Sequence, residues 1–231
     1  MTTILHLDAS ARQTGSHSRR LSARFVRRWH EARPEDPVVY RDVGRQPPAP
    51  VTAAWIEAAF TRPEQRTPAM EAVLGESDRL VDELIAADLI VAGVPMYNFG
   101  VPAPFKAYID NVVRVGRTFG FDRSRAGEPY WPLLADMEKT LVILSSRGDH
   151  GYDRPERIAH MNHVEPSIRT AFGYIGITDV HSIAAEYDEY RDARLARSLA
   201  DAERRIDALV DSLTGAQDAE PGAPAMLRAC A

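Results

Sequence analysis

The sequence predicts a doubly wound parallel α/β sheet of five strands with helices on both faces; if the strand order is 2-1-3-4-5, the loops after strands one, three and four flank the switch point. Three observations carry that expectation. Short branched apolar runs recur along the chain, helical spacing fills the stretches between them, and polar or glycine-bearing loops follow the first, third and fourth runs. Parallel neighbours need crossover connections, which the intervening helices supply. An open sheet of that order places ligands in the crevice beyond the carboxyl ends of its strands, where the connections leave in opposite directions.

The first strand is Thr3-Ile4-Leu5-His6-Leu7. Leu21, Phe25, Val26 and Trp29 mark one face of the helix that follows. Its arginines, from Arg19-Arg20 to Arg27-Arg28, read as the solvated face. Residues 38–43 form the second strand, and Pro47-Pro48-Ala49-Pro50 then opens a long excursion with a short helix around Trp55-Ile56. Pro68 starts an amphipathic helix carrying Met70, Val73, Leu74, Leu80, Val81, Leu84 and Ile85. The third strand, residues 88–94, is an almost unbroken apolar run, the signature of burial on both faces. Helical spacing returns over residues 104–113, and residues 105–115 are apolar on more than one face, as burial against both a sheet and a partner requires. Residues 119–136 make a second long connection, holding Tyr130 and Trp131 between prolines, a length expected of an active-site cover. Residues 139–146 and 179–184 are the fourth and fifth strands, and a closing helix carries Leu195, Leu199, Ile206, Leu209, Val210 and Leu213. Residues 1–214 are expected to form a single domain, and residues 215–231, rich in Ala, Gly and Pro, a flexible tail.

Composition narrows the partners. The 231 residues, 45% apolar and 26% charged, suit a soluble globular domain, and a net charge of −5 argues against nucleic acid or an anionic membrane. The single cysteine, Cys230, excludes a disulfide framework or a thiolate metal site within one chain. No apolar stretch is long enough to span a bilayer, so a cytoplasmic location is expected. Only Lys106 and Lys139 are lysines among 28 basic residues, a compositional bias that removes weight from any single arginine.

The loops after strands one, three and four hold the candidate chemistry. Asp8-Ala9-Ser10-Ala11-Arg12-Gln13-Thr14-Gly15-Ser16-His17-Ser18 runs into a helix. Its three serine hydroxyls, the free amides of the helix start and the helix dipole suit a phosphate monoester. The bland alternative is that Ser16 or Ser18 merely caps the helix. No Gly-Lys-Ser/Thr closes the loop, and no GxGxxG offers a pyrophosphate site. The second loop is Pro95-Met96-Tyr97-Asn98-Phe99-Gly100, an irregular, partly aromatic segment whose free amides suit a flat heteroaromatic ring. The third, Ser146-Arg147-Gly148-Asp149-His150-Gly151, lets backbone approach such a ring closely, or is an ordinary turn. His150 reads as a surface residue rather than a general base, and His160 and His163 lack the carboxylates of a zinc site, so no metal is expected. A Gly-x-Ser-x-Gly elbow is absent, which argues against a serine hydrolase.

Taken together these loops resemble those of the FMN-dependent NADH azoreductases, flavodoxin-like flavin reductases related to quinone reductases. The resemblance spans residues 4–213 and rests on Pro95-Met96-Tyr97-Asn98-Phe99, supported by Ser10, Ser16-His17-Ser18, Ser146-Arg147-Gly148 and Gly173-Tyr174-Ile175-Gly176-Ile177-Thr178-Asp179-Val180. It implies a flavodoxin-like fold and a bound FMN. Ser10, Ser16, His17 and Ser18 would hold the phosphate, Met96, Tyr97, Asn98 and Phe99 the ring, and Ser146, Arg147, Gly148 and Asp149 the pyrimidine side. It further implies NADH or NADPH as donor, a quinone or azo compound as acceptor in a ping-pong course, no obligatory catalytic side chain, and a homodimer that completes the active site. Departures concern His17 in place of a common glutamine, Asp149 and Tyr187 in place of common glycines, and the longer connection after Phe119. A flavodoxin-like electron carrier and a non-catalytic flavin-binding regulator are the competing readings.

Overall fold

The computed structural model describes residues 1–153 and 155–215; the expected tail beyond Gly215, with Cys230, lies outside them. Along the chain the elements are β1 (Ile4–Asp8), α1 (His17–Ala32), β2 (Val38–Asp42), α2 (Ala53–Phe60), α3 (Pro68–Ala86), β3 (Leu89–Pro95), α4 (Ala103–Val112), β4 (Phe119–Phe121), β5 (Tyr130–Pro132), β6 (Thr140–Ser146), α5 (Glu165–Tyr174), β7 (Asp179–Ala185) and α6 (Ala193–Thr214). Five of the strands pair in parallel in the order β2-β1-β3-β6-β7, the expected 2-1-3-4-5. Ile4 lies opposite Val38 and Leu89, Leu89 opposite Thr140, and Thr140 opposite Asp179. The strands therefore start flush at one end, and Asp8, Pro95, Ser146 and Ala185 finish near one another at the other.

The period-2 pleat sorts the apolar side chains into two layers. Ile4, Leu89, Val91, Val142 and Leu144 pack under α1 and α6 through Leu21, Phe25, Trp29, Leu199, Ile206 and Val210. Leu5, Leu7, Ile90, Val94, Leu141 and Ile143 face α3, α4 and α5, meeting Leu80, Val81, Leu84, Phe105, Tyr108, Ile168 and Phe172. No helix among the described residues is long and apolar enough to cross a membrane.

Three expectations need correction. The arginine stretch of α1 is not simply solvated: Arg20, Arg24 and Arg28 pair with Glu203, Asp207 and Asp211 at four-residue spacing on α6, clipping the two helices together. Between the fourth and fifth parallel strands, α5 forms where the sequence reading names no helix; Val164 gives it no side-chain cap, and its buried face is only Glu165, Ile168 and Phe172. The connection at residues 119–136 is not a structureless cover. It pairs β4 with β5 as a small antiparallel ribbon, in which Gly120 leaves room for the Trp131 ring that any Cβ would strike. Leu134 N–H donates to the Ile175 carbonyl, which fixes the ribbon at the amino-terminal end of the sheet, away from the loops carrying the candidate site residues.

Candidate functional site

The first loop is held rigidly from beneath. Arg19 of α1 donates to the Ser10 carbonyl at 2.6 Å and reaches both Asp42 carboxylate oxygens at 2.6 and 2.8 Å. Tyr40 Oη and Ser22 Oγ donate to Asp8 at 3.0 and 2.8 Å, and burial together with Asp8 pushes the Tyr40 hydroxyl up to about 12. Gly44 fits because it has no side chain: a Cβ there would sit 2.2 Å from the Ser10 carbonyl oxygen. Ser16 caps α1, its Oγ accepting from Arg19 N–H, and the first helical turn contains no acidic residue. The first-turn amides have no carbonyl partners within the helix and aim outward beside the positive end of its dipole.

The second loop is tighter than the sequence suggests. Tyr97 and Gly100 exchange both backbone hydrogen bonds, at 2.9 and 3.0 Å, around Asn98 and Phe99 at φ +47° and +70°. Positive φ at both central residues is the type I′ arrangement, uncommon without glycine. Met96 N–H donates to the Ser146 carbonyl and His163 N–H to the Phe99 carbonyl, while Tyr97 Oη accepts from Ala11 N–H at 3.2 Å. The turn is thus pinned to the first loop, to β6 and to the segment before α5.

In the third loop, Arg147 is buried and acts below the surface. Its guanidinium meets Glu165 at 2.7 Å, Asp153 at 2.9 Å and Glu186 at 3.1 Å. Burial opposes its charge, but Glu165 and Asp153 outweigh that cost and hold its pKa above the ordinary arginine value. Glu186 also accepts from the amides of Gly151 and Tyr152, so this ion cluster fastens β6, β7, α5 and the loop together. Asp149 accepts from Arg157 at 2.8 Å and from Tyr190 Oη at 2.9 Å, and chiefly the Arg157 guanidinium holds its carboxyl down to about 2. His150 stacks on Tyr187, ring centroids 4.6 Å apart.

Two adjoining clefts open at the carboxyl ends of the strands and share Met96, Gly148 and Glu189. Ser10, Ser16, His17, Tyr97 and Ser146 line the first; Asn98, Phe99 and Asp149 line the second. Ser18 and Arg147 line neither: Ser18 is fully buried against Ser16 Oγ, and Arg147 is 2% exposed. The sequence reading misses Arg12, Pro95, Asp188 and Glu189 in the first cleft and Tyr152 in the second. Arg12 and Pro95 were within reach of it, being loop neighbours of named residues. Asp188 and Glu189 were not, because nothing local says that the connection after β7 folds back over the third loop, where Asp188 and Glu189 donate to the carbonyls of Arg147 and Gly148. Chemically, one end gathers hydroxyls, a guanidinium, an imidazole and helix amides. The other end is a flatter wall of turn backbone, Met96 and Gly148. Among the described residues, no serine of either cleft hydrogen-bonds the His17 ring.

Comparison with known proteins agrees with this geometry. The curated relatives include the FMN-dependent NADH:quinone oxidoreductase of Nostoc punctiforme, 45% identical over 206 residues that cover 89% of this chain and 97% of that protein. They also include the FMN-dependent NAD(P)H:quinone oxidoreductase 1 of Pseudomonas aeruginosa, 45% identical over 92% of this chain and all of that protein. Among solved structures, an azoreductase from Bacillus anthracis superposes with a TM-score of 0.80 at 22% identity, covering 92% of this chain and all of that one, a likeness of fold. The family model described as the flavodoxin-like fold matches residues 2–209. By the match of that model and the identity to these relatives, the chain belongs to the flavodoxin-like fold family, within the group that contains the FMN-dependent NAD(P)H:quinone oxidoreductases.

Proposed function

We propose that the protein is an FMN-dependent NAD(P)H:quinone oxidoreductase, with aromatic azo compounds as further acceptors. The observation that carries the reading is the pair of adjoining clefts at the switch point, one lined by Ser10, Ser16, Arg12 and His17 and the other by Met96, Asn98, Phe99 and Gly148. The names of the relatives support the same cofactor and reaction.

The donor set fits FMN. Ser10 and Ser16 hydroxyls, His17, Arg12 and the first-turn amides of α1 would take a terminal phosphate. The Met96–Phe99 turn would lie along the ring, and Gly148 with Ser146 would close on its pyrimidine side. Bound FMN supplies the two-electron chemistry that links NADH or NADPH to a quinone in one round and to an azo bond in two, donor and acceptor using one site in turn. The chain's part is placement. Arg19 and Asp42 fix the phosphate loop, the Tyr97 hydroxyl ties that loop to the ring-facing turn, and the Arg147 cluster fixes the third loop from behind. A homodimer belongs to the same reading, supported by exposed apolar side chains around Phe60 and Tyr130.

Denaturing the purified protein and identifying the released flavin tests the cofactor, and NADH or NADPH oxidation with menadione tests the reaction. FMN release with acceptor-dependent turnover is expected. FAD, or a colourless protein that FMN does not reconstitute, would reject the reading, and flavin binding without turnover would favour the electron carrier or the regulator.

A further inference from the structure

The cleft end assigned above to a phosphate already contains a carboxylate. Asp188 Oδ1 lies 3.3 Å from His17 Nε2, and its Oδ2 lies 3.8 Å from Arg12 Nη1. All three side chains line the same cleft, and Glu189 lines it beside them. Asp188 is not there by chance of a swinging side chain. Its amide donates to the Arg147 carbonyl at 3.1 Å, the next amide donates to Gly148 at the same distance, and Tyr187 donates to Asp149. Tyr187 and Arg191 bracket the segment at φ +71° and +52°, a left-handed conformation that side chains adopt with difficulty. The chain therefore lays a strap over the third loop, with left-handed backbone at both of its ends, and holds its acid beside His17 and Arg12 of the first loop.

Resting on the FMN reading, we propose that Asp188 is a specificity-determining residue that competes with the cofactor's phosphate for His17 and Arg12. A carboxylate and a phosphate dianion that reach for the same two donors, Arg12 and His17, repel each other, so a phosphate entering this end displaces Asp188 from them. A flavin without a phosphate makes no such demand and leaves the Asp188 contacts in place. Asp188 thus weakens the protein's preference for the phosphorylated flavin, and makes that cofactor easier to release. His17 is itself a departure from the resembled family's pattern, and the residue before Asp188, Tyr187, is another.

The test compares FMN with riboflavin on the flavin-free protein by fluorescence titration, for wild type and Asp188→Asn. The substitution keeps the side-chain shape and the backbone hydrogen bonds, and Asp188→Ser repeats the measurement should the first variant misfold. Expected is an FMN dissociation constant lower by about three- to tenfold, the scale of a partly exposed ion pair, with riboflavin changed by less than about twofold. High salt should shrink the difference between the proteins. An unchanged or weaker FMN affinity overturns the proposal, as does a parallel change for both flavins, which would report a general loosening of the strap. Failure of the wild type itself to bind FMN would instead reject the functional reading, and this proposal with it.

Discussion

Ser16 and Ser18 stand two residues apart and do different things. Ser16 caps α1 and lines the first cleft, whereas Ser18, one position into the helix from His17, is buried against Ser16 Oγ. Ser16→Ala removes a cap worth about 1 kcal/mol and a hydroxyl toward a charged phosphate worth about 1.5–3 kcal/mol. FMN titration should show a loss of at least about tenfold, with a small fall in melting temperature, while Ser18→Ala leaves FMN affinity nearly intact; equal losses would put Ser18 on the ligand. The hydroxyls were legible in the sequence. Which of them faces the cleft was not, because that depends on where the helix starts. Asp149 gives the same lesson in charge. Read alone, its carboxylate opposes negative charge on a reduced flavin, but Arg157 and Tyr190 engage it in the structure. Removing only the cation should expose that opposition. The midpoint potential of the bound FMN is therefore expected to fall in Arg157→Gln and to return toward wild type in Arg157→Gln with Asp149→Gly, read by spectroelectrochemistry at two salt concentrations. Equal potentials in all three proteins would remove Asp149 from any tuning role.

At the scale of elements, the five parallel strands were legible as short strand-like runs between helical stretches, whereas their order entered as the condition under which the three candidate loops meet at one end of the sheet. Helix α5 was not legible, since its single buried stripe of three residues carries little period and no capping side chain. The β4–β5 ribbon was read as a loop because each strand has only three residues and β5 ends in proline. The turn after β3 is the element on which both clefts depend. Its Asn98 tolerates φ +47°, as asparagine does more readily than most residues, and a β-branched residue would not. Asn98→Val should cost about 1–2 kcal/mol and swing Tyr97 away from Ala11, lowering the melting temperature and weakening FMN together. Asn98→Gly should preserve the fold stability, because glycine adopts that backbone without strain. Melting curves and FMN titrations of the two variants check this; matched behaviour would mean that the turn does not depend on its left-handed residues.

The whole molecule has two contrasting ends. The clefts lie at the carboxyl ends of the strands, and at the other end the β4–β5 ribbon and α2 present an apolar surface to solvent. Phe60 is 60% exposed, Tyr130 48% and Tyr174 42%, with Ile56, Leu133 and Met137 also exposed. Phe121, Tyr130 and Tyr174 form one aromatic group, Phe121 stacking on Tyr130 at 4.7 Å, and Phe60 and Phe121 line a common groove with Arg62 and Arg117. Apolar side chains gathered in this way at one end of a chain mark an association surface, and large aromatics beside arginine are the residue types that dominate binding energy at such surfaces. The proposed homodimer uses this end, where the ribbon and α2 of one copy would pack against those of the other. Phe60→Asp and Tyr130→Asp test it without touching the phosphate loop. Each should weaken self-association by at least about 2 kcal/mol, roughly thirtyfold in the dissociation constant, so that sedimentation velocity at micromolar protein shifts from dimer toward monomer. FMN affinity should change little, because the residues proposed for the cofactor come from one chain, whereas turnover with menadione should fall along with the dimer fraction. A wild type that sediments as a monomer would remove the dimer from the proposed function. Variants that dissociate while keeping full turnover would leave the dimer in place but show that one chain's clefts suffice for the acceptor.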